Sequence, residues 1–233
     1  LAIGVVFLFN KKETLIVGIE TPFPPFYFYE DGKLVGFDID LSSKIAEKLG
    51  YDIQYKNLEF KKLEEFIGDT NNNFVDIVMS IRVTDDRKSR IMFTNSYLNN
   101  GDVVVISINN KNIKNIKDIQ GKKVFVSKGT HSAKIAENID GATVVPFSSS
   151  EEAILYLITD DENVAIMNEA VAKNYIKNNY DTVEIAFPIS KGEIAIGVSK
   201  NKVDLIEKIN KVIKVMEQDG SYVEIYNKWF GEM

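Results

Sequence analysis

The sequence predicts an α/β protein with two lobes, each built on a mainly parallel sheet flanked by helices. Short runs rich in Val and Ile alternate with amphipathic segments, and this alternation restarts near residue 102 of the 233-residue chain. A chain of this length can form two lobes of roughly 100 residues each or one larger α/β domain. Because no low-complexity linker separates the two runs, we expect ordinary strands to join the lobes.

The first alternation opens with a short strand, TLIVGIE (14–20). The loop TPFPPFYFYEDGKL follows, and its prolines and Asp-Gly pair favour a turn and a hairpin. The segment FDIDLSSKIAEKLG has apolar residues at helical spacing and ends at Gly50, which predicts an amphipathic helix. The remaining elements of this half are the strand YDIQYKN, the helix FKKLEEFIGD and the buried strand FVDIVMS.

The second alternation lies between two apolar strands, DVVVISI and EIAIGVSK, which we expect to form a two-strand hinge. Between them we predict a helical turn KNIKDIQ, a strand KKVFVS, a helix KGTHSAKIAENI, a strand ATVVPF, a helix SSEEAILYLIT, a strand NVAIMN and a helix EAVAKNYIKN. The helix VDLIEKINKVIKVMEQDG and the aromatic tail SYVEIYNKWF complete the chain. The predicted limits are 13–102 with 197–233 for the first lobe, and 103–196 for the second.

The chain begins with nine apolar residues, LAIGVVFLF, which stop at a polar segment. A membrane span needs about 20 residues, so this run is too short for one. We interpret residues 1–12 as the remnant of a secretory leader or anchor, with a first buried strand as the alternative. This interpretation predicts a periplasmic or extracellular protein, with anchoring through the N-terminus left open.

Composition excludes several classes of function. The formal net charge is −6, and lysines are interspersed with acids, which argues against a nucleic-acid surface. The chain has no cysteine and a single histidine, His131, so disulfides, thiol catalysis and multi-histidine metal sites are excluded. We therefore predict no catalytic residue, no metal and no cofactor, and a monomer that binds a small molecule.

Arginine is confined to one segment of the chain. Only three of the 28 basic residues are arginines, and Arg82, Arg87 and Arg90 all lie in SIRVTDDRKSR. The planar guanidinium group matches a carboxylate or phosphate bidentately, so the segment indicates a site for an anionic group. A solvated turn with ordinary surface charges is the alternative. Ligands of α/β sheets bind beyond the carboxyl ends of strands, where Glu20, Phe60 and residues 80–87 would converge.

The order of several motifs resembles one family. The carrying stretches are GIETPFPPFYFYEDGKLVGFDIDL, FVDIVMSIRVTDDRKSRIMFTNSYL, GKKVFVSKGTHS, NEAVAKNYI, EIAIGVSK and DGSYVEIYNKWFG. In this order, from Leu15 to Gly231, they are similar to the family 3 extracellular solute-binding proteins of polar amino-acid ABC transporters. The resemblance implies a two-lobed type II periplasmic-binding fold, a ligand cleft that closes by hinge motion, and an ABC permease as partner.

The resemblance also implies roles for residues of the first lobe. Arg87 corresponds to the arginine that clamps a ligand carboxylate, and Phe23 and Phe60 to aromatics that sandwich the apolar part of a ligand. For both phenylalanines, core packing is the alternative. Glu20 matches an acid that reads a cationic side chain in some members, or it is a surface acid at a strand end. Arg90 falls outside the pattern and is interpreted as a surface residue.

In the second lobe, SKGTHS resembles a Gly-Thr turn that meets the carboxylate from the other side. A helix beginning near Thr130 would offer free N–H groups to an anion, and Lys128 lies in the same turn. His131 stands where the family usually has a small hydroxyl residue or glycine. It either lines the cleft or is an exposed residue at a helix start.

Two positions depart from the family pattern. Arg82 replaces a Thr or Ser that donates to the carboxylate, and Asn168 replaces an Asp that accepts the α-ammonium group; Glu169 is a candidate substitute. One hypothesis is a ligand with extra negative charge or without an α-ammonium group. The other is that Arg82 pairs with Glu20 and that the ligand is an ordinary polar amino acid. The predicted ligand-binding set is Glu20, Phe23, Phe60, Ser80, Arg82, Arg87, Lys128, Thr130, His131 and Asn168.

Three classes of function fit these residues. The leading one is a transport receptor that captures a small amino acid or related carboxylate and passes it to a permease. The second is the ligand-sensing ectodomain of a membrane receptor, which would use the same lobes. The third is an enzyme similar to the cyclohexadienyl dehydratases of this fold, with Glu169 or Glu20 as a general acid. A carboxylate clamp alone does not make a catalytic constellation, so we do not expect an enzyme.

Overall fold

The computed structural model describes residues 12–71, 74–178 and 182–231. In chain order the strands are β1 (Thr14–Ile19), β2 (Phe28–Glu30), β3 (Lys33–Val35), β4 (Asp52–Asn57), β5 (Ile77–Arg82), β6 (Met92–Asn99), β7 (Asp102–Ser107), β8 (Lys123–Ser127), β9 (Thr143–Phe147), β10 (Val164–Asn168), β11 (Val183–Ser190) and β12 (Glu193–Val198). The helices are α1 (Phe37–Leu49), α2 (Phe60–Gly68), α3 (Asp85–Arg90), α4 (His131–Glu137), α5 (Ser150–Thr159), α6 (Glu169–Asn178), α7 (Asp204–Asp219) and α8 (Ser221–Phe230), with a 3₁₀ turn at Ile116–Ile119. The predicted leader or anchor at 1–12 lies, apart from Lys12, outside the described residues.

Two five-stranded sheets organise these elements. The first sheet has the order β4-β1-β5-β12-β6, and the second has the order β11-β7-β10-β8-β9. In the first sheet β1 runs parallel to β4 and β5, whereas β12 runs antiparallel to both of its neighbours. In the second sheet β8 runs parallel to β9 and β10, and β7 is the antiparallel strand. The predicted α/β class with mainly parallel sheets is confirmed.

The described chain passes between the sheets twice, from β6 to β7 and from β11 to β12. The two crossings lie side by side, because the Asn100 amide donates to the Gly192 carbonyl at 2.8 Å. A Cβ atom at Gly101 would lie 2.0 Å from the Ser190 carbonyl oxygen, so this close approach requires glycine.

The strands expected to form the hinge each belong to a single sheet. β7 lies in the second sheet and β12 in the first, and a crossing immediately precedes each of them. Because β12 begins at Glu193, residues 193–196 join the first sheet, whereas the sequence placed them in the second lobe. We therefore propose lobe limits at the two crossings.

The C-terminal helix α8 packs on the first lobe through aromatic rings. The ring of Phe37, at the start of α1, lies 6.3 Å from that of Tyr222, 6.4 Å from that of Tyr226 and 4.8 Å from that of Phe230. Tyr222 also donates a hydrogen bond to the carbonyl oxygen of Tyr97 in β6. The chain thus returns to its first sheet and fixes the amino end of α1.

Candidate ligand-binding cleft

The arginine segment links a strand end to a short helix. β5 carries Ser80 and Arg82, and α3 carries Arg87. Thr84 begins the helix, because its hydroxyl accepts a hydrogen bond from the Arg87 amide at 3.2 Å. This N-cap satisfies one of the free N–H groups of the first turn and places Arg87 beside the carboxyl end of β5.

Arg87 is held between two elements of the first lobe. Its side chain is only 11% exposed, and its Nε donates to Glu64 Oε1 of α2 at 2.5 Å. Its Nη1 donates to the carbonyl oxygen of Arg82 at 3.1 Å. The arginine predicted to clamp a ligand carboxylate therefore already contacts one carboxylate of the protein.

Arg82 reaches from the end of β5 to the crossings between the lobes. Its Nη2 lies 3.2 Å from Asp102 Oδ2, and their side chains are 6% and 2% exposed. Its guanidinium group covers Gly192, where a Cβ atom would lie 1.6 Å from Nη1. Nε and Nη1 are buried and have no hydrogen-bond partner among the described residues. Burial lowers the pKa of Arg82, and the charge of Asp102 opposes that effect.

Asp102, the first residue of β7, collects four side-chain contacts. Besides Arg82, its carboxylate accepts from Ser132 at 2.6 Å and from Ser190 at 2.7 Å, and it lies 2.9 Å from His131 Nδ1. Burial alone would raise its pKa, but these hydrogen bonds and the charge of Arg82 hold the pKa below its usual value. Three of these contacts fall on Oδ2 and one on Oδ1, so both carboxylate oxygens of Asp102 are engaged by protein groups.

His131 lies at the start of α4 with its side chain 27% exposed. Because Nδ1 faces the Asp102 carboxylate, it is the ring nitrogen that donates to Asp102. Thr130 is the N-cap of α4: its hydroxyl accepts from the Ala133 amide at 3.2 Å and donates to the Ser127 carbonyl at 2.7 Å. Lys128 is exposed, and its amide donates to Phe147 O.

Asn168 caps helix α6 with its side-chain oxygen. This oxygen accepts from the amides of Ala170 and Val171 at 3.0 and 3.3 Å, and from Asn100 Nδ2 at 2.6 Å. The backbone donors fix the orientation of the amide, so its remaining group is an NH₂ donor. Glu169, the candidate substitute, lies 2.6 Å from Lys173.

Two predicted residues lie in the loop after β1. Glu20 is exposed at the end of this strand. Phe23 is half-buried and stacks on Phe26 with ring centroids 5.1 Å apart, and its ring lies 5.5 Å from that of Tyr27. Phe60 begins α2, and its side chain lies outside the described part of the structure.

The described contacts join only part of the predicted set. Asp102 contacts both Arg82 and His131, and the Arg82 carbonyl accepts a hydrogen bond from Arg87. The two halves also meet at their rims, where Lys134 Nζ of α4 lies 3.6 Å from Asp86 Oδ2 of α3. Phe23 packs within its own loop, and Thr130 and Asn168 cap helices. The acid in contact with Arg82 is Asp102, a residue that the sequence analysis did not single out.

Asp38 and Tyr97 are further residues that the sequence did not reveal. Asp38 is wholly buried at the amino end of α1 and accepts from Ser80 Oγ at 2.5 Å and from Tyr97 Oη at 2.8 Å. Burial raises its pKa to about 7, although both hydrogen bonds act in the opposite direction. Ser80, predicted as a ligand contact, thus donates its hydroxyl hydrogen to a carboxylate of the protein.

The part of the chain that the structure describes contains neither a cluster of metal-ligating side chains nor a membrane-spanning helix. No group of three His, Cys, Asp or Glu side chains could hold a metal ion there. No helix in the same ranges has the length and apolar character that a membrane crossing requires.

Two sheets joined by paired crossings, with a polar site between them, define a two-lobed ligand-binding protein. The chain belongs to the bacterial extracellular solute-binding proteins, family 3, whose sequence pattern it matches over residues 15–232. The resemblance seen in the sequence is thereby confirmed, and with it the class of substrate-binding proteins.

Similar proteins are known in several bacteria. The arginine-binding extracellular protein ArtP of Bacillus subtilis (strain 168) is 29% identical over 228 residues, which cover 95% of this chain and 88% of ArtP. The L-cystine-binding protein TcyJ of Escherichia coli (strain K12) is 27% identical, with 95% of this chain and 84% of TcyJ covered.

Solved structures agree with this relationship. An ancestral arginine-binding protein bound to arginine superposes with a TM-score of 0.84 and 37% identity, covering 94% of this chain and 99% of that one. An ancestral amino-acid-binding protein described as a precursor of cyclohexadienyl dehydratase has a TM-score of 0.84 and 26% identity, with 93% and 95% of the two chains covered.

Proposed function

We propose that the chain captures a small amino acid or related carboxylate between its lobes and delivers it to an ABC permease outside the cytoplasm. The observation that carries the proposal is the pair of buried guanidinium groups at the carboxyl end of β5. Arg82 keeps two buried donors without a partner among the described residues. A buried donor is costly unless an acceptor meets it, and a carboxylate supplies acceptors with charge.

The charge balance favours a neutral or cationic amino acid over an acidic one. Each arginine already faces a carboxylate, Arg82 that of Asp102 and Arg87 that of Glu64. The arginine at position 82 therefore adds no net positive charge to the cleft. This supports the second of the two hypotheses, with Asp102 in the role expected of Glu20. The names of the relatives, which mention arginine and cystine, point the same way.

The remaining predicted contacts are part of the same proposal. Phe23 and Phe60 would flank the apolar part of the amino acid, and Glu20 would face a cationic side chain. Thr130 would contribute through its backbone amide and Ser80 through its backbone carbonyl, because both hydroxyl hydrogens and the Ser80 amide have protein partners. Lys128 and His131 would approach from the second lobe.

The proposal contains no catalytic step. Dehydratase activity is the alternative suggested by the ancestral neighbour, and it would need a general acid in the cleft. His131 is the single histidine of the chain, and both oxygens of Asp102, the carboxylate beside it, already accept hydrogen bonds from protein groups. We expect that the purified protein leaves prephenate and arogenate unchanged, and consumption of either would establish the enzyme instead.

A thermal-shift screen tests the proposed ligand class. The panel comprises the twenty amino acids and small mono- and dicarboxylates, and a ligand at about 100 times its Kd stabilises by roughly 2.7 kcal/mol. We expect a shift with a neutral or cationic amino acid that is reduced but not lost in Arg82→Thr, because Arg82 offers two of the donors and Arg87 is still present. A shift confined to acidic compounds and lost in Arg82→Thr would support the first hypothesis. No shift with any compound would contradict the proposal.

A further inference from the structure

Strand β5 is irregular just before it reaches the cleft. Val78 pairs with Gly197 of β12 and Ile81 pairs with Ala195, so Met79 and Ser80 together face the single residue Ile196. This extra residue is a β-bulge, and bulges bend a strand and change the direction of the side chains that follow. Arg82 is the second residue after the bulge.

The backbone of Ser80 adopts an unusual conformation at this bulge. Its φ angle is +56°, in the left-handed region that residues with a Cβ atom rarely enter. Such a conformation persists only where the surrounding groups hold it. The residue that adopts it in β5 is a serine, so the neighbouring side chains must supply the restraint that a glycine would not need.

Two buried side chains supply that restraint. The Ser80 hydroxyl donates to Asp38 Oδ2 at 2.5 Å, and the Ser80 amide donates to Tyr97 Oη at 3.0 Å. Tyr97 Oη in turn donates to Asp38 Oδ1 at 2.8 Å. The three residues form a closed ring of hydrogen bonds that fixes both the backbone and the side chain of Ser80. Asp38 is the centre of this ring and lies on α1, an element outside the strand that it restrains.

We propose that Asp38 is a positioning residue for the cleft: by holding Ser80 in its left-handed conformation, it sets the direction in which β5 presents Arg82. Two contacts depend on that direction. The Arg82 carbonyl accepts a hydrogen bond from Arg87 Nη1 at 3.1 Å, and the Arg82 guanidinium group donates to Asp102 at 3.2 Å. The inference rests on the proposed function only for the importance of Arg82, and its test needs no ligand.

Nuclear magnetic resonance on the full chain tests the inference with Asp38→Asn, alone and combined with Ser80→Gly. In Asp38→Asn we expect the Cα and Cβ shifts of Ser80 to leave their left-handed values and the amide and Nε resonances of Arg82 to move. Glycine adopts a φ near +56° without a Cβ penalty, so the double variant should return the Arg82 resonances to their wild-type positions. A role in stability alone would not produce this rescue.

Two further variants complete the test. Ser42→Ala is the matched control, because it removes a different buried polar group of α1, a hydroxyl that donates to the Asp38 carbonyl at 2.6 Å, and it should leave Arg82 unchanged. Tyr97→Phe removes the other restraint on Ser80 and serves if Asp38→Asn does not fold. Unchanged Arg82 resonances in Asp38→Asn, or in Tyr97→Phe where that variant is needed, would overturn the inference. So would a double variant in which they are not restored.

Discussion

At the scale of single residues, Asp102 organises the candidate site. It binds one group from the first lobe, Arg82, and groups from the second lobe, among them His131 and Ser132. A buried ion pair gives little net stability, but removal of one partner leaves an uncompensated charge. Asp102 therefore stabilises the junction between the lobes, and its carboxylate is engaged by protein groups.

Replacement of Asp102 by asparagine should be strongly destabilising. Asp102→Asn leaves the Arg82 guanidinium buried without its carboxylate, and we expect the free energy of unfolding to fall by roughly 3–5 kcal/mol in urea titrations. Asp86→Asn is the control, because it removes an exposed acid that pairs with Arg90 and Lys134, and it should cost about 1 kcal/mol or less. Equal effects of the two substitutions would contradict the proposed role of Asp102.

Asn168 is the residue at which an added charge should help. Asn168→Asp keeps the cap of α6, since aspartate caps as well as asparagine, and it replaces the NH₂ donor with a carboxylate oxygen. A charge-assisted bond to the α-ammonium group should tighten amino-acid binding about tenfold in calorimetric titrations. The same compound without its α-amino group should bind Asn168→Asp no more tightly than it binds wild type. A similar gain for both compounds would show that position 168 does not meet the ammonium group.

The Asp38 carboxyl predicts how stability depends on pH. Its pKa in the folded protein is about 7, above its ordinary value of 3.8, so between these pH values the folded state binds more protons than the unfolded state. The contribution of Asp38 is therefore fully present below about pH 4 and is lost as the pH rises to about 7. In urea unfolding at several pH values, the free energy of unfolding of wild type relative to that of Asp38→Asn should decrease as the pH rises from about 4 to about 7. A difference that does not change with pH would contradict the assignment.

At the scale of elements, the crossing through Gly192 depends on the side chain that covers it. A Cβ atom there would lie 1.6 Å from Arg82 Nη1 and 2.7 Å from Cζ. Gly192→Ala should therefore lower the free energy of unfolding by about 1–3 kcal/mol, as other overpacked sites do. The same substitution in an Arg82→Ala background should cost much less. If the cost is equal in both backgrounds, the backbone of the crossing is responsible rather than the guanidinium group.

The elements that the sequence did not reveal share weak local patterns. All six residues of α3 are polar, and this helix depends on the Thr84 cap and the contacts of Arg87. β11 contains Pro188 and register shifts, which an edge strand tolerates but which obscure alternation. By contrast, Tyr222, Tyr226 and Phe230 of α8 are spaced four residues apart, which indicates one face of a helix, and their rings all contact Phe37.

The site was harder to predict than the elements, for a physical reason. Strand ends and the arginine segment were visible in the sequence, because periodicity and composition are local. The partners of the two arginines were not, since Glu64 lies 23 residues before Arg87 and Asp102 lies 20 residues after Arg82. Only the crossing of the chain between sheets brings Asp102 to β5. An acid as the first residue of the apolar strand DVVVIS was the one available signal.

At the scale of the whole molecule, two lobes meet along a seam that runs from the crossings to the rim. Arg82 and Asp102 join them at the crossings, and Asp86 and Lys134 approach at the rim. A ligand held between the lobes would touch residues from both halves, so its binding energy can favour the arrangement in which they are together. The central claim is therefore that an amino acid binds in this seam through its carboxylate.

Calorimetric titration of the best compound from the screen into wild type, Arg87→Lys and Arg90→Lys tests this claim most directly. Lysine keeps the charge opposite Glu64 but lacks the planar fork, so Arg87→Lys should weaken binding by about tenfold or more. Arg90, half-exposed on the same helix, is the matched control, and Arg90→Lys should bind like wild type. Wild-type affinity in Arg87→Lys would contradict the account, because the carboxylate would then be bound elsewhere.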